Sequence, residues 1–284
     1  MPAPLLFGIR IPVGRTGRPQ LSPSVHRDAA VAQARRLTAL ADILGLDYVF
    51  SGGDAGLSSE TTLALLGAAK RLTVVAPISV AAWHPALLAR FGAVAGRLSG
   101  GRFAIDLRSG PHPDDRRAEE FARIVRGLWA GDSVDVEGEH FRVRGLRPSV
   151  QPEVAPEIVV SGGWRAAASL AARTGDWFLH PGLDPQEVPA RLAAFDGEAA
   201  ATGRDVGFAV AAAVTFRPAS GEAPTGIHGT PEEVAERLAE YGRSGVGLVV
   251  LDLADPEADL PVFAREVLPR VRELEHARAL AAVH

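Results

Sequence analysis

Three basic residues stand where apolar runs of the sequence end, and such positions can supply charge or a proton to a reaction. Arg10 and Arg108 each follow a short apolar run, and His180 follows a third. Imidazole titrates near neutral pH and can act as acid or base, whereas guanidinium stays charged and can stabilise negative charge. We therefore predict Arg10, Arg108 and His180 as catalytic candidates, with a purely structural histidine as the alternative for His180.

A glycine turn offers a place for an anion. Ser161, Gly162 and Gly163 lie between an apolar run and a helical pattern that begins at Trp164. The first turn of a helix presents unpaired N–H groups and the positive end of its dipole, and glycines let a phosphate approach the backbone. The pattern predicts a phosphate-binding turn, with an ordinary tight turn as the alternative. A bulky residue at Gly162 is expected to abolish binding and to leave the fold nearly intact.

Composition excludes several classes of function. The chain contains no cysteine, so disulfides, thiolate metal sites and thiol nucleophiles are ruled out. No histidines and carboxylates stand at a convincing ligand spacing, and no metal site is predicted. The formal net charge of −4 argues against a nucleic-acid partner. Neither a signal peptide nor an apolar run long enough to span a bilayer is evident, so we expect a cytoplasmic protein without membrane contact.

The elements that must position these residues form a repeating pattern. Eight apolar runs are each followed by a helix or a loop excursion, which predicts an α/β fold, the (β/α)8 TIM barrel. Composition favours one domain over residues 1–284 rather than two smaller ones. Thr230 and Glu233 have the spacing of a capping box at the start of a helix. The predicted strands are residues 5–11, 47–50, 72–79, 103–107, 158–160, 176–179, 208–216 and 248–253.

Four segments resemble the bacterial luciferase-like monooxygenase family, and most closely its alkanesulfonate monooxygenase branch. They are residues 83–110, 134–145, 156–164 and 228–252, and they occur in the family's order. The resemblance implies a luciferase-like β/α barrel that binds reduced FMN or a deazaflavin, coenzyme F420. It also implies a small-molecule substrate, a separate flavin reductase and a homodimer.

The resemblance also assigns cofactor-binding residues. It implies a bulge with a cis peptide, which supports the flavin ring, at Ala76 and Pro77. A proline inside a strand is unusual, and a cis bond before proline costs only about 0.5–1 kcal/mol. An ordinary trans proline at the end of a strand is the alternative. Ser161, Gly162, Gly163, Trp164 and Arg165 are expected to hold the phosphate, with Arg165 supplying charge in place of the small hydroxyl residues of relatives.

Two departures from the family pattern leave the function open. Positions that carry an arginine and a histidine in the alkanesulfonate branch fall at Ala211 and Ala213, and the region of a long lid insertion is only ten residues here, 218–227. Chemistry on oxygen needs exclusion of water, which a lid would provide. Three readings follow: a reduced-FMN monooxygenase, an F420-dependent hydride-transfer oxidoreductase, and a degenerate non-catalytic or structural subunit.

Overall fold

The computed structural model describes residues 3–11, 23–52, 58–108, 115–216 and 226–281, without the side chains of residues 23–27, 58, 108 and 115. Strands and helices alternate along these residues. The strands are β1 (Leu6–Ile11), β2 (Tyr48–Ser51), β3 (Thr73–Ser79), β4 (Phe103–Arg108), β5 (Val134–Glu137), β6 (Arg142–Leu146), β7 (Glu157–Ser161), β8 (Trp177–His180), β9 (Gly207–Thr215), β10 (Ile227–His228) and β11 (Leu248–Leu253). The helices are α1 (Pro23–Ile43), α2 (Ser58–Ala68), α3 (Pro85–Ser99), α4 (Asp115–Ala130), α5 (Trp164–Thr174), α6 (Val188–Ala201), α7 (Pro231–Arg243), α8 (Pro256–Val262) and α9 (Leu268–Ala281), with a π-helical turn, Phe263–Val267, between α8 and α9.

Eight of the strands close into a parallel barrel, which confirms the predicted (β/α)8 fold. The order around the barrel is β1, β2, β3, β4, β7, β8, β9 and β11, and β11 pairs with β1 again. β5 and β6 form a separate antiparallel hairpin, and β10 adds to β9 in parallel. Because all eight barrel strands run the same way, their carboxyl ends meet at one rim, where the loops that carry function gather in such barrels.

Local sequence signals define several elements well. α5 begins at Trp164 and β11 spans Leu248–Leu253, as predicted. The predicted capping box at the start of α7 is confirmed, with the Thr230 side chain accepting from the Glu233 N–H and the Glu233 carboxylate accepting from the Thr230 N–H. None of the described helices combines the length and the apolar character needed to cross a membrane.

The barrel interior is filled at the amino ends of its strands. Trp177 and Tyr48 lie there with ring centroids 6.5 Å apart, and the Tyr48 hydroxyl donates to Glu157 at 2.9 Å. The Trp177 ring occupies space that a side chain at position 207 would need, since a β-carbon added to Gly207 would lie 2.4 Å from it. These side chains fill the amino end of the interior, so a ligand would enter nearer the opposite rim.

The apolar stripe of α3 faces away from the barrel. Leu87, Val94 and Leu98 recur at helical spacing but are exposed by 63%, 41% and 73%. The buried face of the helix consists mainly of small residues, and Gly92 allows the Trp129 ring to approach so closely that an added β-carbon would lie 2.7 Å from it. Close packing of α3 on α4 thus depends on small residues, and three large apolar residues are left on the surface.

Pro77 fits inside β3 without a lost hydrogen bond, and its peptide bond is trans, as are all described peptide bonds. The Thr73 N–H donates toward β2, to Asp47 O at 2.8 Å, whereas the Val74 N–H donates toward β4. Alternation places position 77 on the β2 side, where pairing ends at Phe50 and Val75. The cis bulge expected from the resemblance is therefore wrong for this structure, and the alternative of a trans proline holds.

Candidate functional site

An ion pair lies at the carboxyl rim of the barrel. Arg10 near the end of β1 donates from Nη1 to Oδ2 of Asp252 near the end of β11, at 3.2 Å, and about a third of each side chain is exposed. Burial raises the pKa of Asp252, and the guanidinium of Arg10 opposes that rise. The rim thus carries a carboxyl group that holds a proton more readily than an exposed aspartate does.

A second carboxylate, Asp106, was not anticipated from the sequence. It is 3% exposed and lies in register with Pro77 on the neighbouring strand. Ala104, two residues earlier, belongs to the interior core, so alternation places Asp106 on the inner face of β4. The signal was present as a charged residue at an alternate position of an otherwise apolar run, FAIDL.

The other strand ends contribute positions around the same rim. Arg108 is the last residue of β4 and pairs in register with Ser79 of β3, while its side chain is outside the described part. Ser161 ends β7, and the preceding inward residue, Val159, lies in the interior core. Arg10, Arg108 and Ser161 therefore share one end of the barrel, as parallel strands require.

The turn between β7 and α5 has open space in front of a helix end. Gly163 is the N-cap residue of α5, and no side chain caps this end of the helix. A β-carbon added to Gly163 would meet no described atom within 4 Å, whereas one added to Gly162, whose φ is 155°, would lie 2.8 Å from Cβ of Ala167. Because the first N–H groups of a helix have no partner within it, this end can accept an anion.

The two residues that follow the glycines face different surroundings. The Trp164 ring packs 5.9 Å from Phe178, and the Arg191 guanidinium lies 5.1 Å from its centre. These contacts hold the ring in the layer between α5, α6 and β8. Arg165 is exposed and forms no ion pair within the described residues. Of these two side chains, Arg165 alone is left available to an anion at the helix end.

His180 faces the outer layer rather than the barrel interior. Leu179 belongs to the interior core, and the His180 ring lies 6.5 Å from Trp164 and 6.1 Å from Phe178, a residue of the outer core. Burial lowers the pKa of His180, and the nearby Arg191 lowers it further. The Gly182 N–H donates to Nδ1 at 3.3 Å. The ring is thus held in a structural environment, and the same is true of His84, whose Nδ1 accepts from the Ala86 N–H and caps α3.

The remaining predicted positions divide by face. Pro77 alternates with the interior residue Val75 and lies on the inner wall, whereas Ala76 belongs to the outer core. Ala211 lies in the interior core, and Ala213 follows it on the same face of β9 and is exposed. The described residues contain no group of three or more histidines, aspartates or glutamates placed to hold a metal ion.

Comparison with known proteins gives a consistent result. Residues 7–224 match the family model described as luciferase-like monooxygenase. The FMNH2-dependent dimethylsulfone monooxygenase of Pseudomonas putida is 28% identical in an alignment that covers 87% of this chain and 90% of that protein. Two solved structures share the fold. The EDTA monooxygenase of Chelativorans sp. BNC1 has a TM-score of 0.80 at 17% identity, covering 95% of this chain and 94% of that one. The coenzyme F420 dependent tetrahydromethanopterin reductase of Methanopyrus kandleri has a TM-score of 0.78 at 13% identity, covering 95% and 100%.

Proposed function

Since the chain belongs to the luciferase-like monooxygenase family, we propose that it is a flavin-dependent monooxygenase that uses reduced FMN and oxygen on a small organic substrate. The observation that carries the proposal is the uncapped end of α5 with open space at Gly163, set beside a barrel mouth that bears polar residues. A relative aligned over most of the chain is named as FMNH2-dependent, which supports the choice of cofactor.

The residues of the glycine turn fit the phosphate of FMN. The N–H groups of the first turn of α5 would bind its oxygens, and the exposed guanidinium of Arg165 would add charge. Gly163 leaves room for the anion, while Gly162 keeps the turn close to Ala167. Pro77 and Ser161 would border the ring system at the mouth of the barrel, and Trp164 would contribute only its backbone.

Reduced flavin supplies the electrons that activate oxygen when it is bound, so the protein's share is orientation, electrostatics and exclusion of water. Arg10 fixes Oδ2 of Asp252 at the rim, and this carboxyl, whose pKa burial raises, would accept or release a proton at the mouth. Arg10 would also counter negative charge that develops near the mouth. His180 has no route to the interior in this arrangement, and we assign it a structural role.

Hydride transfer with a deazaflavin is the second candidate. On the inner face of β9, Ala211 and Ala213 present methyl groups toward the mouth, so these two positions offer no side-chain hydrogen bonds there. Hydride transfer depends on the alignment of the two reacting carbon atoms more than on hydrogen bonds to the protein. It also tolerates water better than oxygen chemistry does.

A separate flavin reductase and a second copy of the chain are the partners we propose. An enzyme of this kind that uses reduced FMN as a substrate needs a source of it. Leu87, Val94 and Leu98 of α3 are exposed apolar residues, and α2, which contacts α3, exposes Leu63 by 48%. An apolar patch of this kind is typical of a protein interface, and a self-complementary contact would cover it in both copies.

Anaerobic titration distinguishes the candidates. Purified protein is titrated with reduced FMN, oxidised FMN and reduced F420, with tryptophan fluorescence as the signal. The proposal predicts that reduced FMN binds most tightly. Tighter binding of F420 would favour the hydride-transfer candidate, and binding of none of the three would favour a non-catalytic subunit.

A further inference from the structure

The barrel wall has an opening beside β9. Val214 pairs both with Leu253 of β11 and with Ile227 of β10, so β10 and β11 lie on opposite sides of β9. β8 and β10 therefore share one side, and the last residue of β8, His180, pairs with Val210. Residues 211–213 have no described strand neighbour on that side, and we refer to this stretch as the β9 opening.

A cavity of about 530 Å³ is centred on the β9 opening. Asp252 and Ala213 approach it from the barrel mouth, whereas Arg237 and Tyr241 of α7 approach it from the outer layer. The loop after β8 forms a further wall, with Leu183 fixed by a hydrogen bond from the Tyr241 hydroxyl to its carbonyl oxygen. The volume lies within the range of small-molecule sites in proteins.

The described side chains that line the cavity include more carboxylates than basic groups. Asp184, Glu187 and Asp252 contribute carboxylates, and Arg237 is the one basic residue among the described lining residues. Asp252 is paired with Arg10 from outside the lining and Asp184 with Arg237, which leaves Glu187 as the lining carboxylate without an ion pair among the described residues. Arg237 is already engaged, because its Nη2 lies 2.9 Å from Asp184 and its Nη1 lies 3.0 Å from Glu240. No described lining residue therefore offers an unpaired cation to an anionic ligand.

From this geometry we propose that the cavity at the β9 opening holds the organic substrate of the proposed reaction and admits uncharged or cationic molecules while excluding anionic ones. This inference rests on the proposed function, because the ligand is a substrate only if the chain catalyses the proposed reaction. Its apolar wall, formed by Ala211, Ala213 and Leu183, would contact the carbon skeleton, and the carboxylates would repel sulfonates and carboxylates.

Three probes of similar size test the charge preference. They are methyl phenyl sulfone, benzenesulfonate and phenyltrimethylammonium, which carry no charge, a negative charge and a positive charge. Binding is measured on the wild-type chain by saturation-transfer NMR and titration. We expect benzenesulfonate to bind at least about tenfold more weakly than the other two. Binding of benzenesulfonate as tight as that of the sulfone, or binding of none of the three, would overturn the proposal.

A substitution in the opening locates the site. Ala213→Arg would add a positive charge to the cavity beside Asp252, so benzenesulfonate should gain about tenfold in affinity and phenyltrimethylammonium should lose as much. Ala213→Gln, of comparable reach but uncharged, should preserve the wild-type order. Asp184→Asn, at an exposed position, should also favour benzenesulfonate because it removes a negative charge from the lining and one of the two carboxylate partners of Arg237. Unchanged preferences in Ala213→Arg and Asp184→Asn would contradict the assignment of the cavity.

The same samples separate this inference from the proposed function. If the chain binds none of the flavins but keeps the predicted probe order, the proposed function fails and the ligand class stands. If it binds reduced FMN tightly but shows no discrimination among the probes, the inference fails and the proposed function stands.

Discussion

Gly162 and Gly163 have different structural roles in the turn before α5. The first is held so close to Ala167 that an added β-carbon would lie 2.8 Å away, while the second faces open space with a φ of −66° that any residue can adopt. A bulky residue at Gly162 would disturb the turn itself, contrary to the expectation from the sequence. Position 163 is therefore the better place to test binding without damage to the fold.

Gly163→Asp is predicted to separate stability from cofactor binding. Aspartate is a favoured N-cap residue, and its charge suits the helix dipole, so the free energy of unfolding should stay equal or rise by a few tenths of a kcal/mol. The same charge would repel a phosphate, and reduced FMN should bind at least about tenfold more weakly. Thermal unfolding and anaerobic titration measure the two effects. Gly197→Asp, at an exposed site on α6, is the charge-matched control.

Asp252 should give ligand binding at the β9 opening a dependence on pH. Its pKa is raised by burial, against the opposing Arg10. As pH falls through that raised pKa the carboxylate is neutralised, so the affinity for phenyltrimethylammonium should fall, while Arg10 and Arg237 remain charged. Asp184 and Glu187 also line the cavity. Titration at several pH values, with Asp252→Asn for comparison, measures this; an identical profile in both proteins would contradict it.

At the scale of elements, one carboxylate ties α1 to the start of β3. Oδ1 of Asp42 accepts from the backbone N–H groups of Lys70, Arg71 and Leu72 at 2.7–3.2 Å, and the residue is 5% exposed. Burial acts to raise the pKa of Asp42, but the three N–H donors and Arg71 outweigh it and leave the pKa lowered. This contact fixes the chain's entry into a strand that lines the site.

Asp42→Ala is predicted to destabilise the protein by about 3 kcal/mol, because it leaves buried N–H donors without their charged acceptor. Since the folded-state pKa is lowered, the stabilisation is present above the ordinary pKa of aspartate, near 3.9, and is lost as pH falls through the folded-state value. Denaturant unfolding at neutral pH and in acid should show the gap between wild type and variant closing in acid. The exposed Asp28→Ala on the same helix should change stability little; an equal effect there would refute the role of Asp42.

The sequence predicted the strands and helices more accurately than the directions in which their side chains point. The period of apolar residues and the glycine stops identified the eight barrel strands, and the same reasoning placed α5 and β11 correctly. Orientation depends on neighbours far along the chain. His180 faces outward because the alternate residues Trp177 and Leu179 fill the interior. Asp106 faces inward because it alternates with the interior residue Ala104. Large apolar residues of α3 face outward because the helix packs through small residues. Pro77 is tolerated because β2 ends before reaching it.

At the scale of the whole molecule, the exposed apolar face of α3 is the surface most suited to a second copy. Leu87 and Leu98 are more than half exposed, and they lie on one face of the helix with Val94. Burial of such side chains contributes about 1.5–3 kcal/mol each when it is complete. Two copies of the face would therefore have reason to associate.

Leu87→Glu combined with Leu98→Glu is predicted to convert the proposed homodimer into a monomer, since charges would be buried without partners at the contact. Sedimentation equilibrium measures the mass of each form. Leu280→Glu, at a position of α9 that is 54% exposed, should leave the assembly unchanged. A wild-type chain that sediments as a monomer would contradict the proposed dimer.

We propose that the end of α5 holds the phosphate of a flavin cofactor. A comparison of reduced FMN with reduced riboflavin tests this assignment. The two molecules share the ring system and differ by the phosphate. Anaerobic titration of the wild-type chain is predicted to show FMN bound at least about tenfold more tightly. Equal affinities would contradict the account.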